Sequence, residues 1–164
     1  MNPHNFSREN VIDRTDKRIL EILQEDSTCA VADIAERVSL STTPCWRRIQ
    51  KLEQEGVIKR RVVLLDPEKL NVDVTVLVEI KTTQHNAAWL KSFRNAIESI
   101  PEIVEAYRMS GHIDYLLKVV VPNIGAYDKV YKRLIGTVEL HDVSSSFSME
   151  VLKSTTALPL TYSD

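Results

Sequence analysis

The chain has 164 residues, enough for one medium domain or two small ones and too few for a large enzyme barrel or an extended repeat array. Lys and Arg number 21 against 23 Asp and Glu, a formal charge of −2, so the global basic excess of many nucleic-acid binders is missing. Hydrophobic residues make up 43% and charged residues 27%, proportions that exclude a disordered chain and allow a real core.

The stretch from Met1 to Asp13 is polar, carries Arg8 and Glu9 and lacks the apolar run of a signal peptide. No later run approaches the roughly 18 apolar residues of a membrane helix, so a soluble, cytoplasmic protein without a membrane partner is expected. Cys29 and Cys45 show no paired metal-type spacing, which predicts two reduced structural thiols.

Asp13 is placed to cap a helix with Ile19, Leu20 and Leu23 at helical spacing, ended by Gln24 to Ser27. A short second helix reads from Val31 to Val38; Ala30 is a poor cap for it, while Asp33 suits its dipole. Ser41, Thr42 and Thr43 open a third helix with Pro44 in its first turn, running to Gly56. The β-branched, basic segment Val57 to Leu65 predicts a small β-ribbon, or wing, broken by Asp66-Pro67. Three units follow from this pattern: a module over 10–65, a hinge over 66–71 and a second module over 72–160.

The second module changes period. Residues 72–81 alternate apolar and polar as a half-buried strand does. A helix marked by Leu90, Phe93, Ile97 and Ile100 stops at Pro101. Strands over 103–109 and 115–121 flank a turn containing Gly111. A helix marked by Tyr127, Val130, Tyr131 and Leu134 precedes a last strand over 143–152, with Phe147, Met149 and Val151 on one face. The order β-α-β-β-α-β is the ferredoxin-like arrangement, so the fold class is α+β. Helices cover one sheet face only, and Leu77 on the other suggests a partner there.

On the third helix, about 100° of rotation per residue turns Cys45, Ile49 and Leu52 inward. Thr43, Arg47, Gln50, Lys51 and Gln54 then point outward, with Trp46 and Arg48 on the flanks. The outward face carries donors for phosphates and base edges and no acid. With the Ser/Thr entrance and the basic ribbon of Lys59, Arg60 and Arg61, it describes a winged helix-turn-helix. Basic charge is concentrated there: residues 41–61 hold six basic and two acidic side chains. Exposed helix charges are common, and the turn spacing is what raises this face above an ordinary solvated one.

Other constellations fail. His85, His112 and His141 lack metal-ligand spacing, and no P-loop, nucleophile-elbow or dinucleotide fingerprint occurs. Tyr107, Tyr115, Tyr127 and Tyr131 read as core or interface aromatics.

The string Ser41-Thr42-Thr43-Pro44-Cys45-Trp46-Arg47-Arg48, followed by Ile49, Leu52, Glu53 and Glu55-Gly56-Val57-Ile58, resembles the recognition-helix signature of the Lrp/AsnC, or feast/famine, family. The likeness extends to Asp13 through Leu20, to Leu65-Asp66-Pro67, and to Ser110-Gly111-His112-Ile113-Asp114-Tyr115, which resembles the family's Gly-x-x-Asp-Tyr turn. It covers essentially Asp13 to Leu160.

The resemblance implies a transcription regulator, not an enzyme, with no cofactor and no metal. A winged helix-turn-helix would bind double-stranded DNA through Ser41, Thr42, Thr43, Trp46, Arg47, Arg48, Gln50, Lys51, Lys59, Arg60 and Arg61. A ferredoxin-like effector (RAM) domain would bind a small amino acid and pair into homodimers that assemble further, commonly into octamers. The effector residues implied are Arg108, Met109, Ser110, Gly111, His112 and Asp114, with Ser146 and Ser148 from the last strand of a neighbouring subunit. Gly111 lets backbone N–H groups approach a carboxylate, and Asp114 is placed to accept from an ammonium group. Taken alone, the same two residues also fit a tight turn whose aspartate caps local backbone. Arg108 stands where leucine-responsive members carry an apolar residue, and Ser146 and Ser148 replace bulkier groups, so a smaller or more polar amino acid is expected. The strings 43–46 and 142–149 look most like a branch that includes cysteine-responsive regulators. The alternative is a haem-pathway decarboxylase, an enzyme built on the same architecture, with His112 the candidate acid/base.

Overall fold

A computed structural model describes residues 12–163; residues 10 and 11 of the expected first module lie outside that range. The chain divides into two compact units. One comprises the chain up to Val63 together with the stretch from Lys153 onward, and the other runs from Leu64 to Leu152. The expected second module runs to 160, whereas the stretch from Lys153 onward groups with the helical unit. The reason is specific. Gln24 donates to the Leu158 carbonyl at 3.2 Å and accepts from its N–H at 2.7 Å, and Leu160 packs on the helical core.

In that unit, α1 spans Arg14–Glu25, α2 Val31–Arg37 and α3 Thr42–Gln54. Asp13 caps α1, accepting from the Asp16 N–H at 2.8 Å, while Asp16 reaches back to the Asp13 N–H at 3.3 Å, a reciprocal capping box. Ala30 gives α2 no side-chain cap, as expected. Ser39, at φ 58°, makes the turn between α2 and α3, a left-handed conformation that costs a residue with a Cβ. Gly56, at φ 74°, ends α3. Ile19, Ile34, Ala35, Cys45, Ile49 and Leu52 close the core.

The expected β-ribbon is not formed: residues 57–65 carry no strand, and Val62 to Leu65 are exposed. A ribbon needs two strands and a turn, and this run has no turn residue within it and no partner among the described residues. β-branched content makes the segment extended without giving it anything to pair with.

In the other unit, β1 is Val74–Lys81, α4 Ala87–Glu98, β2 Ile103–Arg108, β3 Tyr115–Val121, α5 Ile124–Thr137 and β4 Asp142–Phe147. The antiparallel sheet has the order β2-β3-β1-β4. Val76, Val78, Ile80, Leu117, Val119 and Val121 line its helix-covered face against Trp89, Phe93, Ala96, Tyr127, Val130 and Leu134. Asn86 and Asn123 cap the two helices. The last strand is shorter than its expected span of 143–152. It pairs with β1, which begins at Val74, so beyond one bond from the Ser148 N–H to the Thr75 carbonyl the ladder runs out. Met149 is left 97% exposed.

Candidate functional site

The outward side of α3 is as the helical wheel predicts. Cys45, Ile49 and Leu52 are buried, while Ser41, Thr42, Thr43, Trp46, Arg47 and Lys51 are exposed and Gln50 is half-buried. Ser41 makes no capping bond with its side chain.

The basic residues of the candidate DNA face are not equivalent. Arg48 Nη1 donates to Asp13 Oδ2 at 2.6 Å and to Asp16 Oδ1 at 2.8 Å, so it is held against the start of α1. Arg61 donates to the Ser27 carbonyl at 3.1 Å and to Glu53 at 3.2 Å, and Gln50 also donates to Glu53, at 2.9 Å. Lys51 has a loose pairing with Glu55 at 3.7 Å, worth little on an exposed helix. Arg47, Lys59 and Arg60 have no protein partner among the described residues. Sequence reasoning put Arg48 on the flank of the helix yet counted it with the other five cations, because the acids that engage it lie 35 and 32 residues away.

Local electrostatics follow these bonds. The Asp16 N–H, and then Arg48, hold the Asp13 carboxyl below its ordinary value against the opposing effect of burial. Burial pushes the Cys45 thiol up.

The turn between β2 and β3 is the second candidate site. Gly111 adopts φ 135°, a backbone only glycine holds without strain, and open space surrounds its Cα. The Met109 N–H donates to the Asp114 carbonyl at 2.8 Å, and the Asp114 N–H donates to the Ile80 carbonyl at 2.9 Å. Asp114 Oδ2 accepts from the Thr82 N–H at 2.8 Å. Asp114 therefore has the backbone-capping role that its place in a turn allowed. Ser110, Gly111 and His112 are exposed, and among the described residues their N–H groups make no backbone bond.

Arg108 lies beside this turn, at the rim of a cavity of about 250 Å³ that is also lined by Gln84, His85, Asn86, Trp89, Leu90 and Tyr115. Sequence reasoning missed Thr82, Trp89 and their loop, because only the sheet register brings the end of β1 beside the turn. Ser146 and Ser148 are on the open sheet face but not at the turn. Ser146 faces Leu77 in the register and Ser148 bonds back to Thr75, whereas the turn adjoins Ile80 at the opposite end of β1. One chain does not bring the two groups together.

His85, His112 and His141 belong to no cluster of possible metal ligands among the described residues. No helix among them is long and apolar enough to cross a membrane.

Comparison with known proteins assigns both units. Residues 12–59 match the winged helix-turn-helix DNA-binding family model, and residues 75–158 match the Lrp/AsnC ligand binding domain. A glutamate uptake regulatory protein of Zymomonas mobilis is 48% identical over 149 residues, 91% of each chain. The crystal structure of an AsnC family transcriptional regulator from Agrobacterium tumefaciens is 63% identical, with a TM-score of 0.89 over 92% of this chain and 98% of that one. A transcriptional regulator from Neisseria meningitidis, solved in complex with L-methionine, is 31% identical, with a TM-score of 0.86 over 91% and 97%. These relatives are regulators, and none supports the decarboxylase alternative. Two matched domains in the right order, on a fold shared over nearly the whole length, make this chain a member of the Lrp/AsnC family of DNA-binding transcriptional regulators.

Proposed function

We propose that this regulator senses a small amino acid at the turn from Arg108 to Asp114 and reads DNA through the exposed side of α3. The observation that carries the effector reading is the Gly111 turn. Among the described residues the N–H groups of Ser110, Gly111 and His112 have no backbone partner, which leaves donors for a ligand carboxylate. Arg108 adds a cation beside it. The Neisseria relative binds L-methionine, which supports an amino acid as the ligand class here. Arg108 and the small hydroxyls Ser146 and Ser148 favour a small or polar one.

Ser41, Thr42, Thr43, Trp46, Arg47, Gln50 and Lys51, with Lys59 and Arg60 beyond the helix, form the DNA-reading set. Arg47, Lys59 and Arg60 supply phosphate contacts, because among the described residues no acid competes for them. Self-association completes the reading. Leu77 and Tyr107 are 40% and 50% exposed on the sheet face that no helix covers, and such a face is stable against a second copy. Homodimers assembling further, up to an octamer in the cytoplasm, would place Ser146 and Ser148 of one subunit near the turn of another. Ligand binding at those seams would shift the spacing of paired recognition helices by linkage.

The test is a thermal-shift screen against the twenty amino acids, followed by DNA binding with and without each hit. A ligand of the native state raises the melting point by mass action. A screen in which none raises it, or in which every hit leaves DNA binding unchanged, overturns the effector reading.

A further inference from the structure

Arg48 lies in the recognition helix and carries the charge expected of a phosphate contact, yet its geometry is that of a staple. A single nitrogen, Nη1, donates one bond to each carboxylate of the α1 capping box, at 2.6 Å to Asp13 and 2.8 Å to Asp16. The same two carboxylates already hold each other's backbone N–H groups. Asp16 is 7% exposed, so without Arg48 a nearly buried carboxylate would lose its cation.

We propose that Arg48 is a positioning residue for DNA binding: it locks the middle of α3 to the first turn of α1 and so fixes the angle at which its neighbour Arg47 is presented. The proposal rests on the reading that the exposed side of α3 meets DNA. It separates two adjacent arginines by role. Arg47, exposed and without a partner among the described residues, delivers charge to the phosphates. Arg48 directs its charge inside the protein, against Asp13 and Asp16.

Salt dependence distinguishes the two roles. Each phosphate contact releases counterions and contributes about 0.9 to the slope of log Kobs against log salt, whereas a positioning residue changes affinity at every salt alike. The experiment uses the full-length protein and a labelled duplex from upstream of its own coding sequence, titrated across a salt series with Arg47→Ala, Arg48→Ala and Asp16→Asn variants. The Arg47→Ala variant is expected to lose about 0.9 from the slope per bound protomer. The Arg48→Ala variant is expected to bind roughly tenfold or more weakly with the wild-type slope.

Asp16→Asn keeps Arg48 and adds net positive charge, and it carries the test if Arg48→Ala does not fold. Its expected result is weaker binding, the reverse of what added charge alone would bring. A slope lowered by about one in Arg48→Ala, unchanged affinity in that variant, or tighter binding by Asp16→Asn overturns the positioning role. Arg47→Ala with wild-type affinity and slope overturns instead the underlying assignment of the α3 face.

Discussion

The Thr82 N–H donates to the Asp114 carboxylate at 2.8 Å, tying the residue after β1 to the turn between β2 and β3. Asp114 also spans the junction through its own N–H, bonded to Ile80. The residue proposed to meet an effector ammonium group is thus already part of the sheet end, so ligand contact there would be coupled to local order. Replacing Asp114 with Ala should abolish the calorimetric response to the amino acid identified by thermal shift. It should also lower stability by about 1.5–3 kcal/mol, the usual cost of a lost hydrogen bond to a charged group. A full ligand response in that variant would remove Asp114 from the effector site.

Ser39 pays for its left-handed backbone at φ 58° in the turn between α2 and α3. Its side chain is exposed and makes no hydrogen bond among the described residues, so glycine loses nothing by replacing it. Ser39→Gly is expected to stabilise the helical unit by about 0.5–1 kcal/mol, the relief of the Cβ clash less the added freedom of the unfolded chain. Chemical denaturation monitored by helix content measures this. Ser39→Val, β-branched in the same conformation, should destabilise.

The two cysteines should differ sharply toward thiol reagents. Cys45 is fully buried on the inward face of α3 and its thiol is pushed up by burial, with Arg48 only partly opposing. Cys29 is half-buried. At neutral pH a disulfide reagent should label Cys29 in the native protein and reach Cys45 only on unfolding. Equal labelling rates would show that the core around α3 opens readily.

Acid should weaken the helical unit through Asp13. Its carboxyl is held below the ordinary value of 3.8, first by the Asp16 N–H and then by Arg48. A depressed carboxyl contributes stability that is complete above the unfolded value and is lost as pH falls through the folded one. Urea midpoints measured by helix content should therefore be insensitive to Asp13 above about pH 5 and decline below about pH 4. Asp13→Asn should flatten that decline while keeping an acceptor for the cap.

The helices and most strands were legible because each carries its period locally. Asp13 and Gly56 bracket the first three helices, and the alternation through Val76, Val78 and Ile80 marks β1. What failed depends on partners remote in sequence. The basic run after Gly56 looks like a ribbon from composition, but pairing requires a second strand. β4 ends at Phe147 because β1 begins at Val74, a limit nothing within 143–152 encodes. The helical wheel separates Arg47 on the outward face from Arg48 on the flank, but only Asp13 and Asp16, brought in by the packing of α1, show that Arg48 is engaged. Gly111 and Asp114 were found as a turn, yet the carboxylate's attachment to Thr82 awaited the sheet register.

The pairing of Gln24 with Leu158 joins residues 134 positions apart. The helical unit is therefore assembled from both sides of the intervening sheet unit, and during synthesis its three helices emerge long before the strand of chain that finishes their surface. Bringing that segment back requires closing a loop that holds an entire second unit, and closure is entropically far cheaper once that unit has already collapsed. The DNA-reading module leaves the ribosome ahead of the sheet unit and, by this contact, is completed after it.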